Sequence, residues 1–173
     1  MTPGNLSPQF DQGVLIPNQI SLREAVIKTV SRTKLDVVAD TNVNPGAAAQ
    51  GVAFTVTALD ELALVPAGFD IPLTVGDYEV SYALNFTSTS ARPNMATVLN
   101  FGGAVLETVN GHNYIRASTG HNEASQTATH AFTVAVAGNL RIDVLRQAGA
   151  GAVAMPSGWM IVRKYEDVTV LVP

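Results

Sequence analysis

Three histidines, His112, His121 and His130, stand nine residues apart in or beside a polar stretch, Asn110 to Thr129. A histidine-based metal site on one strand needs two histidines a single residue apart with a carboxylate close by, and no His-x-His occurs. A spacing of nine is not a ligand spacing on one strand or one helix. Only a threefold axis gathering three copies of one histidine would make a metal site of them, so ordinary loop histidines are expected and no metal. Gly149-Ala150-Gly151-Ala152-Val153-Ala154 matches the Gly-x-Gly-x-x-Ala string of dinucleotide sites. That string must open a helix, yet Pro156 and Gly158 follow at once, and no acidic residue stands about 20 positions on. It reads instead as a small-residue loop between strands. Asp60-Glu61 and Glu166-Asp167 are neighbours that point to opposite sides of an extended chain, which excludes a facing pair of carboxylates and suggests solvated turns. Trp159 and Tyr114 could stack on a sugar ring, but a core or interface tryptophan fits an alternating strand better. Arg92, Arg116, Arg141, Arg146 and Arg163 are scattered singly. No catalytic residue is assigned, no cofactor is expected, and an enzyme is disfavoured.

Composition narrows the frame around these residues. The chain has 173 residues, 47% hydrophobic and 14% charged, with no cysteine. That suits one domain with a sizeable core and rules out disorder as the dominant state. Disulfides, thiolate metal sites and cysteine nucleophiles are all excluded. A net charge of −4 with three lysines argues against nucleic acid as a partner. No apolar run approaches the roughly 20 residues of a membrane span. The first residues show neither a basic segment nor a long apolar one, so no signal peptide is read there.

Three segments are distinguishable. Residues 1–20 hold Pro3, Pro8 and Pro17 with Asp11 as their only charge, and read as an extended arm. Phe10, Val14, Leu15 and Ile16 give that arm an apolar patch to dock on a partner. Residues 21–49 read as a short helix or strand and a linker. Ser21 to Glu24 fits a capping box, and Leu22, Val26 and Val30 share one helical face, although Val26, Ile27, Thr29 and Val30 favour a strand. Leu35 to Ala39 reads as a strand.

Residues 50–173 carry period-two alternation. Val52, Phe54 and Val56 alternate with small residues, and Tyr78, Val80, Tyr82, Leu84 and Phe86 form one apolar face. Gly102-Gly103 between Ala96–Phe101 and Ala104–Val109 signals a hairpin. Gly138-Asn139 between Ala131–Ala137 and Leu140–Leu145 signals a second. Trp159–Tyr165 and Val168–Val172 supply the last strands. The fold class is all-β, a sandwich or barrel.

Four stretches in this order resemble the tumour-necrosis-factor-like jelly roll shared with the globular heads of complement. Val75-Gly76-Asp77-Tyr78-Glu79-Val80 resembles that family's Gly-x-Tyr approach to a central strand. Asn100 to Val109 resembles its middle hairpin. Ala137-Gly138-Asn139-Leu140-Arg141-Ile142 resembles its turn into a long strand, with Asn139 where an acidic residue is usual. Ser157-Gly158-Trp159-Met160-Ile161 resembles its closing strand. The resemblance covers about residues 50–167. It implies an antiparallel jelly-roll sandwich and a homotrimer built about a threefold axis through one sheet. Ala53, Ala83, Ala135, Met160 and Val162 are taken as the small or apolar residues of the outward faces.

With the arm, this suggests a trimeric capsid decoration or cement protein of a tailed bacteriophage, located in a virion assembled in the host cytoplasm. Its expected partners are its own copies and the major capsid protein or another virion protein. The alternative is the receptor-binding tip of a tail fibre or spike, with His112, Tyr114 and His121 in an exposed tip loop.

Overall fold

The computed structural model describes residues 23–39, 45–88, 93–114, 122–149 and 152–172, with the backbone alone at 23–25, 111–114 and 171–172. Its ten strands are β1 (Arg23–Val37), β2 (Gln50–Gly51), β3 (Phe54–Ala58), β4 (Ile71–Leu73), β5 (Gly76–Ser88), β6 (Asn94–Phe101), β7 (Ala104–Tyr114), β8 (Glu123–Val134), β9 (Gly138–Ala148) and β10 (Val153–Val172). One sheet has the order β3-β1-β10-β5-β8. The other has the order β2-β9-β6-β7, with β4 also paired to β9. The described residues divide into a larger unit within Val30–Tyr165 and a smaller one of residues 23–29 with 166–172. In the smaller unit the Thr29 hydroxyl donates to the Glu166 carbonyl at 3.2 Å, and Val26, Ile27 and Val168 are exposed.

The expected core strand is as the alternation required. Tyr78, Val80, Tyr82, Leu84 and Phe86 are buried, and the residues between them are not. They meet Met95 and Leu99 of β6 and Leu140, Ile142 and Val144 of β9 in one cluster. At roughly 25 cal/mol per Å² of apolar surface, this cluster is the main favourable contribution to folding. Two polar ties cross it. Tyr82 and Thr97 share a hydroxyl hydrogen bond of 2.9 Å, and the buried Gln126 amide donates to the Met95 carbonyl. Burial raises the Tyr82 hydroxyl above its usual pKa, the Thr97 bond opposing and the Glu107 charge adding to the shift.

The Gly102-Gly103 hairpin forms as read, with φ of 57° and 84° at the two glycines, the pair of left-handed positions a tight hairpin turn demands. The second expected hairpin does not form. β8 and β9 lie in different sheets, so Ala135–Ala137 passes from one sheet to the other. Gly138 serves packing instead, since a Cβ there would sit 3.0 Å from the Phe101 ring.

Three further expectations are corrected. Residues 23–37 form a strand rather than a short helix, because the β-branched run pairs within a sheet whose partners supply contacts that a capping box cannot. The stretch Asn110 to Thr129 is not one loop: β7 runs to Tyr114, and β8 begins at Glu123. Threonines at alternate positions suit a strand with one solvated face. Glu166 and Asp167 lie within the continuous β10 and not in a turn.

Asp60-Glu61 anchors a loop to β1. The Glu61 carboxylate accepts from the Arg32 N–H at 2.9 Å. The Asp60 carboxylate accepts from the Thr33 hydroxyl and the Leu64 N–H, and Thr33 accepts from the Leu62 N–H at 3.1 Å. Thr33 is fully buried, so Thr33→Val keeps its shape while stranding its partners. Denaturant unfolding should show a loss of about 1–2 kcal/mol; no loss would mean the loop is held by other contacts.

Candidate functional site

The pleat that buries Tyr78 to Phe86 turns Asp77, Glu79, Ser81, Ala83 and Asn85 to the opposite face of the first sheet. Register then assembles rows across β10, β5 and β8: Ser157–Asn85–Ser125, Trp159–Ala83–Thr127, Ile161–Ser81–Thr129, Arg163–Glu79–Ala131 and Tyr165–Asp77–Thr133. The centre is small and apolar, with Ala83 and Ile161 half-buried and Trp159 37% exposed.

Around that centre nine polar side chains are paired with one another across the three strands. Asn85 donates to Ser157 at 2.8 Å and accepts from Ser125 at 2.6 Å. Arg163 donates to Glu79 at 2.9 Å and to Ser81 at 3.0 Å, and Thr129 donates to Ser81 at 3.1 Å. Thr133 donates to Asp77 at 2.7 Å. Polar side chains already paired with one another lose less on leaving water than unpaired ones. Chemically it offers association.

Of the residues taken as outward, only Ala83 lies on this face. Met160 and Val162 are fully buried in the core, Ala53 lies between β2 and β3, and Ala135 follows the end of β8. The phase of β10 changes at a register shift between Ala154 and Ser157, so Val153 and Met155 are buried before it and Met160 and Val162 after it. Pro156 was the available signal: a residue without an N–H inside a strand marks a bulge. Trp159 and Ile161 therefore occupy the outward positions.

His112 and Tyr114 end β7, with only their backbones described. His121 lies outside the described residues, as do Phe10, Val14, Leu15 and Ile16. His130 is a strand residue of β8 whose Nδ1 stands 3.4 Å from the Glu107 carboxylate and whose ring lies beside Phe132. Among the described residues no group of three or more His, Cys, Asp or Glu could hold a metal ion. No helix among them is long and apolar enough to cross a membrane.

Strand order identifies the architecture, because the first and last long strands lie side by side in the sheet that also holds β5 and β8. Solved structures of similar fold include the two that follow. Murine APRIL, of the TNF family, matches with a TM-score of 0.52 and 12% identity, over 77% of this chain and 98% of its own. The fold is a TNF-like jelly roll. The same jelly roll occurs in phage PRD1 vertex protein P5, with a TM-score of 0.52 and 12% identity, over 79% of this chain and 97% of that one. No protein-family model and no curated sequence matches the chain.

Proposed function

We propose that the protein is a structural virion protein of a tailed bacteriophage, a homotrimer that decorates or cements the capsid and is held there by its first 20 residues. The observation that carries this reading is the outer face of the first sheet, where Ala83, Ile161 and Trp159 sit among internally paired polar side chains. Three copies packing through that face bury it about a threefold axis. The fold shared with a phage vertex protein supports a place in the virion by analogy. On this reading the partners are other copies of the chain and the major capsid protein or another virion protein, and no catalytic role is assigned.

Attachment falls to the arm. Burying Phe10, Val14, Leu15 and Ile16 contributes on the order of 6–12 kcal/mol per arm before ordering costs. Ordering about 20 residues offsets most of that, so a single arm binds weakly. Three arms on one trimer gain by avidity.

Removing residues 1–20 should leave the thermal transition nearly unchanged and abolish co-sedimentation with purified capsids. Retention of the shortened chain on capsids would place the attachment elsewhere. Dissociation of the trimer on deletion would make the arm an intersubunit staple and overturn the anchoring role.

A further inference from the structure

A cavity of about 490 Å³, lined by polar side chains and glycines, opens on the second sheet and takes no residue from β5, β8 or β10. Leu140, Ile142 and Val144 point into the core, so Arg141 and Asp143 of β9 face outward, and Asn100 of β6 pairs in register with Arg141. Asp70, Asn139 and the Gly102-Gly103 turn complete the lining. The volume falls in the range of small-ligand sites.

The lining is held in place before any ligand arrives. Both Asp143 carboxylate oxygens are engaged, one by Arg141 Nε at 2.6 Å and the other by the Asn100 amide at 2.8 Å. The Asp143 side chain is 13% exposed. The Arg141 guanidinium lies 5.4 Å above the Phe69 ring. Gly51 permits that stack, since a Cβ there would meet Phe69 at 2.5 Å and Arg141 Nη2 at 2.9 Å. On the other side the Asn139 amide reaches Asp70 at 3.4 Å, while the Asn139 carbonyl accepts from the Gly102 N–H. Gly102 and Gly103 leave the turn's backbone open, with nothing within 4 Å of where a Cβ would stand.

We infer that this cavity binds a neutral saccharide. Two carboxylates oppose a phosphate or other small anion, and the guanidinium opposes a metal cation. Amide and guanidinium donors stand beside carboxylate and amide acceptors, a lining matched by groups that donate and accept at once, as sugar hydroxyls do. The bare glycine turn lets a sugar ring approach the main chain. The site is independent of the virion reading, since it lies on the other sheet and needs no capsid.

The test is a titration of the full-length, isotope-labelled protein with D-glucose, D-galactose, D-mannose and N-acetyl-D-glucosamine, and with inorganic phosphate as the anionic probe. At least one neutral sugar should give saturable shifts, at Kd of about 10 mM or tighter, in the Gly102 and Gly103 amides and the Asn100 and Asn139 side chains. Asn139→Ala and Asp70→Ala should each weaken binding tenfold or more while the thermal transition holds, because the backbone bond from Gly102 to Asn139 remains. Absence of saturable shifts with all four sugars would overturn the site. So would tighter binding of phosphate, or undiminished binding in both variants.

Discussion

Leu84→Ala should lower the free energy of unfolding by about 2–5 kcal/mol, a large part of the roughly 5–15 kcal/mol available to a typical domain. Leu84 is 0% exposed, in the middle of β5, with Tyr82 and Phe86 on the same face. Its removal takes apolar contacts from both sheets, and paired strands on either side of β5 restrict collapse around the cavity. Ser81→Ala, three residues away on the opposite face, should cost only about 1 kcal/mol, from the bonds to Arg163 and Thr129. Denaturant midpoints at constant slope separate the two. Equal losses would contradict the assignment of Leu84 to the core face and Ser81 to the outward face of β5.

If the outer face of the first sheet builds the proposed homotrimer, Ala83→Arg should leave a monomer while the β-sheet circular dichroism persists. Ala83 stands between Trp159 and Thr127 at the centre of the candidate association face, where the proposed packing leaves no room for a guanidinium. Nor is there an unpaired acid in that row to receive one. Three such charges brought together about one axis carry a penalty of about 3–5 kcal/mol each. Val105→Arg is the control, on an exposed β7 site of the other sheet, and should stay trimeric. Loss of assembly in both variants would attribute the effect to general charge rather than to this face.

The sequence made the core strand legible because β5 is buried on one face only, and strict alternation over Tyr78–Phe86 records that directly. Gly102-Gly103 was legible because both residues need left-handed φ, which glycine alone adopts freely. Gly138-Asn139 misled for the opposite reason: the glycine answers to the Phe101 ring, a contact remote in sequence. β1 was obscured because a local capping signal competes with β-branched residues, and the outcome depends on partners far along the chain.

The outward face of β10 was read in the wrong phase. Small outward residues were expected, but the register shift in β10 moved Met160 and Val162 inward and brought Trp159 and Ile161 out. The cavity on the second sheet escaped notice altogether. Asn100, Asn139, Arg141 and Asp143 come from two strands, and only the β6–β9 register brings them together. The alternation Arg141-Ile142-Asp143 was the one local sign that two charged side chains share a face.

On the proposed reading, the outer face of the β3-β1-β10-β5-β8 sheet builds a homotrimer. Sedimentation equilibrium of the full chain at micromolar concentration tests it most directly. Three times the 18.1 kDa chain, about 54 kDa, is the expected mass; a species at the single-chain mass at that concentration would rule the homotrimer out.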